Sequence, residues 1–189
     1  MVKHYVARTV TKTPDYMQAK IVVPAAEVLH AGQVVVAEEL DASLGYGNWD
    51  VYTAAKVSDE TKNNVAIILN GGFETLSDGR RPDGQPDYTQ YEFKGGEVVT
   101  AHRLLPETRY EISIDACDET VAGATVVPGD NLIPKANQYE LTYSAKGTTV
   151  TAKNYLTVEA VKYFRLGGQS GAEFAQTMVV RAKATDATA

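Results

Sequence analysis

The chain of 189 residues is poor in the side chains on which many enzymes and metal proteins rely. It has one cysteine, Cys117, and three histidines, His4, His30 and His102. A single cysteine excludes an intrachain disulfide and a zinc site built from several thiolates. None of the histidines belongs to an H-E-x-x-H or H-x-E pattern. Acidic residues flank Cys117, and their charge is expected to raise the pKa of its thiol rather than activate it.

Long apolar runs and an excess of positive charge are also missing. No stretch approaches the roughly 20 apolar residues of a membrane helix, and the first residues lack the apolar core of a signal peptide. Lysine and arginine total 18 against 24 aspartates and glutamates, which gives a net charge of −6. General nucleic-acid binders are normally basic. We therefore predict neither a nucleic acid nor a membrane as a partner.

Motifs for catalysis and nucleotide binding are absent from the sequence. There is no G-x-S-x-G elbow, no Walker loop and no dinucleotide fingerprint. Asp78, Asp83 and Asp87 lie in a loop, but they lack the D-x-D-x-D-G ladder of a calcium site, and turn-forming aspartates explain them better. The sequence thus predicts no enzyme, no cofactor and no metal site.

Residues that favour β-structure are abundant: 22 valines, 19 threonines and 11 tyrosines stand against 11 leucines. Many short runs alternate between apolar and polar side chains, as strands with one buried face do. We predict an all-β fold, mainly an antiparallel β sandwich or barrel with little helix. Predicted strands lie at 20–23, 33–37, 50–54, 65–69, 90–93, 97–101, 110–114, 139–143, 148–151, 156–163 and 178–182. Predicted helical turns lie at 27–30 and 59–64.

The first residues form a basic segment, since no acid precedes Asp15. Their sequence is also compatible with β-structure. Two interpretations are open, an extended arm that pairs with a partner or the first edge strand of the domain. We predict an extended N-terminal arm at 1–17 and a main β domain at 18–127 with a long loop at 70–88. C-terminal β strands at 128–189 are expected to pack on the main domain or continue it.

An internal echo is the most specific feature of the chain. The nine residues from Gly32 and the nine from Gly96 share the pattern G-x-V-V-x-A-x-x-L, offset by 96 − 32 = 64 residues. A weaker third version begins at Gly129. Glycine permits a tight turn into a strand that the valine pair then continues. We predict that the fold uses this glycine-led strand more than once.

Two alternative functions arise from the residues themselves. Tyr46, Trp49 and Tyr52 lie among glycines and suit a carbohydrate-binding or adhesive module, although Trp49 would equally close the core of a hairpin. The other alternative is a hydrolase whose carboxylates meet through folding. Its candidate acids are Glu38, Glu39, Asp87, Asp115 and Asp118.

The order of segments carries a family resemblance. A basic β segment is followed by a turn and strand at 28–35, a buried strand at 65–69 and a glycine-led strand at 91–99. This layout resembles the auxiliary head proteins of tailed bacteriophages and is similar to the lambda-type head decoration proteins. The segments at 128–134, 139–141 and 179–181 look like the C-terminal strands of such virion proteins.

The resemblance implies a late virion structural protein without catalysis, made in the host cytoplasm. It implies a homotrimer that binds the major capsid protein on the capsid exterior and reinforces the shell. The arm would then pair with a capsid loop by adding a strand, so removal of residues 1–14 would leave a folded protein that no longer attaches. The expected arm contacts are Val2, Lys3, His4, Tyr5, Val6, Arg8, Val10 and Lys12. Arg80, Arg81 and Trp49 are candidate secondary contacts.

Overall fold

A computed structural model of the chain describes residues 5–10, 18–37, 51–69, 91–165 and 174–185. Within these ranges the chain forms 13 strands and one short α-helix, which confirms the all-β prediction. The strands are β1 Ala7–Thr9, β2 Gln18–Val22, β3 Val28–Leu29, β4 Val34–Val36, β5 Val51–Thr53, β6 Val65–Ile68, β7 Phe93–Lys94, β8 Val98–Arg103, β9 Arg109–Ser113, β10 Asn131–Pro134, β11 Leu141–Ser144, β12 Asn154–Arg165 and β13 Phe174–Ala184. A 3-10 turn at Ile114–Ala116 precedes the helix α1 at Glu119–Ala122.

One layer of the fold is a curled five-stranded sheet in the order β4-β6-β8-β2-β5. Its neighbours are antiparallel except for the parallel pair β2 and β5. Val36 and Ala55 exchange main-chain hydrogen bonds of 2.9 and 3.0 Å, so the β4 edge meets the residues that follow β5. We call this sheet the half-barrel. A two-stranded ribbon of β3 and β7 accompanies it.

The other layer is a six-stranded antiparallel sheet in the order β1-β9-β13-β12-β10-β11. Its longest element is the hairpin of β12 and β13, whose register shifts between Val158 and Ala160. A bulge of this kind inserts one residue and exchanges the side chains that face the core. Before the shift Val158 is buried, and after it Val161 packs against the core.

Two hydrophobic clusters form the core. One lies on one face of the half-barrel and contains Val35, Ala66 and Ile68 with other residues of that sheet. The second joins alternate residues of the same strands to Ile112, Leu156 and other residues of the six-stranded sheet. Strands β4 and β6 are therefore buried on both faces, which explains why their sequences are continuous apolar runs.

The glycine-led strands are confirmed by backbone geometry. Gly32, Gly96 and Gly129 adopt φ values of +91°, +87° and +98° and lie just before β4, β8 and β10. A side chain is strained in this region of conformational space, whereas glycine is not. Gly32 is also crowded, because a Cβ there would lie 2.4 Å from the Cβ of Ala116.

Local structure departs from the sequence predictions at several points. The helical turn expected at 27–30 is wrong, because Val28–Leu29 pairs with Phe93–Lys94 as a strand and Leu29 is buried. The strand expected at 148–151 is absent. The helical turn expected at 59–64 is confirmed, because the Lys62 and Asn63 N–H groups both donate to the Asp59 carbonyl. The helix α1 was not predicted from the sequence. Asp118 could have indicated it, because its side chain caps the helix by accepting from the Thr120 N–H.

The structure also divides the chain differently from the predicted segments. The six-stranded sheet draws β1 from the expected arm, β9 from the expected main domain and β10 to β13 from the C-terminal part. The half-barrel ends with β8 at Arg103, so the layers separate between 103 and 109 rather than at 127. Residues 5–10 belong to the folded body and not to a separate arm.

We expect His102 to make the protein sensitive to acid. His102 lies on β8, is 4% exposed and packs edge-on against Tyr110, and burial lowers its pKa from 6.5. Below pH 6.5 the unfolded chain therefore takes up a proton that the folded chain excludes, and stability falls by up to about 1.4 kcal/mol per pH unit. Urea unfolding between pH 5 and 8 measures this slope. The variant His102→Phe should flatten it, and an unchanged slope would contradict the assignment.

Asp130 is expected to be a stabilising centre of the C-terminal half. This residue is 2% exposed, and its carboxylate accepts from the Val127 N–H at 2.9 Å, the Lys146 N–H at 2.9 Å and the Tyr143 hydroxyl at 3.2 Å. Asp130→Asn turns one acceptor into a donor and should cost about 1–3 kcal/mol in urea unfolding. Glu92→Gln, the same acid-to-amide change at an exposed position, is the control. Equal losses in the two variants would refute the special role of Asp130.

Candidate partner-binding surface

The described part of the expected arm is the edge strand β1. Ser113 N–H donates to the Val6 carbonyl at 2.8 Å, and Val6 N–H donates to Ser113 Oγ at 3.0 Å. Val10 N–H donates to the Arg109 carbonyl at 2.9 Å. Val6 and Ala7 are 1% and 0% exposed. For residues 5–10 the structure thus supports the edge-strand interpretation.

A buried carboxylate ties β1 to the two strands beside it. Glu111 on β9 accepts from Arg8 Nε and Nη2 at 3.0 and 2.7 Å and from Thr177 Oγ1 on β13 at 2.9 Å. The Glu111 side chain is 7% exposed, whereas that of Arg8 is 55% exposed. A buried carboxylate is tolerated when charged and hydroxyl donors satisfy it. Arg8 is therefore committed to its own chain.

Tyr5 also packs within the body. Its ring stacks on His30 with 3.9 Å between ring centroids, and burial raises its pKa, with nearby Asp115, Glu92 and Glu140 adding to the rise. These carboxylates make this corner of the surface acidic, and hydrogen bonds within the chain hold its side chains in place. Gln33 accepts from the His30 N–H and donates to Glu140 at 2.8 Å.

These contacts revise the predicted arm surface. Val6 is wrong as a contact residue because its side chain lies in the core, and Tyr5 is largely used within the chain. Val10 is 48% exposed and remains a candidate. Removal of residues 1–14 would strip an edge strand and uncover the core, so we no longer expect that truncation to stay fully folded. The other predicted contacts lie outside the described residues: Val2, Lys3, His4, Lys12, Trp49, Arg80 and Arg81.

The outer face of the six-stranded sheet carries a row of side chains with alternating positive and negative charge. Arg109 contacts Glu159 at 2.8 Å, Arg181 bridges Glu159 and Glu107, and Lys183 contacts Glu107 at 2.8 Å. The hydrogen bond from Lys183 is the main cause that lowers the pKa of Glu107. Partly exposed pairs of this kind add little stability. They make this face a partly solvated surface on which opposite charges pair with one another.

The hairpin of β12 and β13 extends beyond its neighbours. Strand β13 pairs with β9 from Thr177 to Arg181, and β12 pairs with β10 at Leu156 and Thr157. Among the described residues, 160–165 of β12 pairs only with β13. Tyr163, on this projecting part, is 71% exposed, more than any other large hydrophobic residue in the described ranges. The valine and tyrosine content of 156–163 predicts a strand but gives no sign of this surface.

The alternative functions receive no support from the described residues. Tyr52 packs against the half-barrel core, and the Arg103 guanidinium lies 5.5 Å from its ring centroid, while Tyr46 lies outside the described residues. Asp118 is engaged in capping α1 and accepts from Thr142 Oγ1 at 2.7 Å. Of the other candidate acids, Glu38, Glu39 and Asp87 also lie outside the described residues.

Cys117 is a buried thiol. Burial raises its pKa, and the nearby Asp118 and Asp115 add to the rise, as the flanking acids predicted. Within the described ranges, no three His, Cys, Asp or Glu side chains cluster in a way that could hold a metal ion. No helix in that part of the chain has the length and apolar character to cross a membrane.

Comparison with known protein families, characterised proteins and solved structures gives no match for this chain.

We expect Glu111→Gln to loosen the N-terminal strand. The variant removes the charge that Arg8 pairs with and should lower the free energy of unfolding by about 1–3 kcal/mol. Hydrogen exchange should accelerate at the amides of Val10 and Ser113. The control is Glu107→Gln, whose side chain is 62% exposed and whose replacement should have a much smaller effect. Similar effects of both variants would show that the carboxylate does not anchor β1.

Proposed function

We propose that this chain is a virion structural protein that binds the outer surface of a tailed-bacteriophage capsid and stabilises it without catalysis. One observation carries the proposal. Three of the segments that bear the family resemblance lie in one connected part of the fold, because 28–35 contributes β3 and β4, 65–69 contributes β6, and 91–99 contributes β7 and β8. The other resembling segments, the basic one and those at 128–134, 139–141 and 179–181, contribute to the six-stranded sheet.

Several large hydrophobic side chains of the described ranges are exposed and available for contacts: Val10, Val28, Leu105, Val127 and Tyr163. A decoration protein would attach through many modest contacts, multiplied by the valency of a homotrimer. We propose the major capsid protein as the partner, the virion exterior as the location and the host cytoplasm as the site of synthesis.

The proposed attachment now involves the sequence on either side of β1. Lys3 and His4 precede the strand and Lys12 follows it, while Val10 at its end is exposed. These basic residues contrast with the net charge of −6 of the whole chain. They suit an acidic shell surface, so attachment should weaken as salt screens the charges.

Co-sedimentation with shells tests the proposal. The purified chain is mixed with shells of the phage that encodes it, prepared without this protein. We expect saturable binding, and the double variant Lys3→Glu, Lys12→Glu should bind at least about tenfold more weakly. The double variant Lys94→Glu, Lys135→Glu, at exposed positions, changes the net charge equally and should bind as the unaltered chain does.

The outcomes separate two parts of the proposal. Absence of binding by the unaltered chain at saturating shell concentration would refute the decoration function. Equal weakening by the two double variants would refute the attachment through the basic residues while leaving the function in place.

A further inference from the structure

We propose that the projecting edge of β12 is a docking site for an extended, acidic segment of a partner protein, which adds to the sheet as a further strand. The site comprises the main chain of residues 160–165 together with Lys162 and Tyr163. It is distinct from the basic residues around β1. On the proposed function the added segment would belong to the shell protein, but the argument depends only on the hairpin.

The direction of the main-chain groups defines the open edge. Thr185 N–H donates to the Lys153 carbonyl across the hairpin, and Val158 N–H donates to the Asp130 carbonyl at 2.8 Å on the side of β10. In an antiparallel ladder these directions alternate along the strand. Ala160 lies opposite Val179 after the register shift, which turns the main-chain groups of Val161 and Tyr163 away from β13.

No third strand covers that edge in the described ranges. Strand β10 pairs with β12 only at Leu156 and Thr157, and two further main-chain bonds join Val158 to Gly129 and Asp130, so among the described residues the edge beyond the bulge is unpaired. Exposed edges are templates for strand addition, and main-chain hydrogen bonds provide the affinity in that binding mode.

Tyr163 supplies an apolar contact on one face of the site. It lies two residues beyond Val161, directly opposite Gln176, and so continues the core-facing row formed by Val161 and Met178. Met178 is buried and Val161 is partly buried against the core, whereas Tyr163 is 71% exposed. An added strand with apolar residues at alternate positions would cover the tyrosine ring.

The positive charge of this edge favours an acidic segment as its binding partner. Lys162 is exposed, Arg165 follows on the same strand, and no acid occurs between Glu159 and Glu173 in the sequence. A second copy of this edge would bring two sets of cations together, since like charges on paired strands are destabilising and lysine on an edge strand opposes self-pairing. A segment with acidic residues meets the opposite charge.

A peptide titration followed by nuclear magnetic resonance tests the inference on the full chain. The probe is the acetylated and amidated hexapeptide Glu-Val-Glu-Thr-Glu-Val, and the control probe replaces each Glu with Lys. We expect saturable shifts of the Val161 and Tyr163 amide signals with the acidic peptide only. The variant Lys162→Glu should weaken binding about tenfold, and Lys135→Glu, at an exposed position outside the site, should not.

A second pair of variants separates the main chain from the side chain. Tyr163→Pro removes an N–H that points away from β13 and should abolish binding while the sheet stays folded. Tyr163→Thr keeps the N–H and should bind more weakly than the unaltered chain but measurably.

Three results would overturn the inference. They are an absence of shifts at 5 mM peptide, expected to suffice for binding in the millimolar range, equal binding of the basic peptide, or self-association of the unaltered chain that Tyr163→Pro abolishes. None of these results bears on attachment to shells, which the co-sedimentation assay measures separately.

Discussion

The fold depends on two strands that are buried on both faces. Val34–Val36 and Val65–Ile68 contribute alternate side chains to the core of the half-barrel and to the core between the layers. Each buried aliphatic side chain contributes roughly 1.5–3 kcal/mol relative to exposure. Because neighbouring residues serve different cores, neither layer can lose its packing without weakening the other. The half-barrel and the six-stranded sheet are thus a single cooperative body in energetic terms.

The N-terminal strand is joined to this body by polar interactions as well as by packing. Val6 and Ala7 enter the core, while Glu111 holds Arg8 and Thr177 across three adjacent strands. The same residues had suggested an arm available to a partner, since they are basic and precede the main run of strands. A buried acid more than 100 residues away changes their role. On the proposed function, contact with a shell would therefore come from residues that flank the strand or from other surfaces.

Features that depend on local interactions could be predicted from the sequence, whereas features that depend on residues distant in sequence could not. The glycine-led strands were recognisable because a positive φ is a local requirement that Gly32, Gly96 and Gly129 each satisfy. The strand at Val28–Leu29 was mistaken for a helical turn because its partner, Phe93–Lys94, is distant in sequence. The projecting β12 edge was hidden for a related reason. The residues at 156–163 predict a strand. How far the strands beside it extend is decided by pairing across the whole sheet.

The bulge at Glu159 has a consequence for how this protein can diversify. The extra residue changes which side chains face inward, so the hairpin beyond it has its own alternation, separate from that of the buried segment before it. Paired insertions or deletions beyond the bulge would lengthen or shorten the hairpin while Leu156 and Val158 keep their places. The length and composition of the projecting hairpin can therefore change in related chains while the packing of the core stays the same.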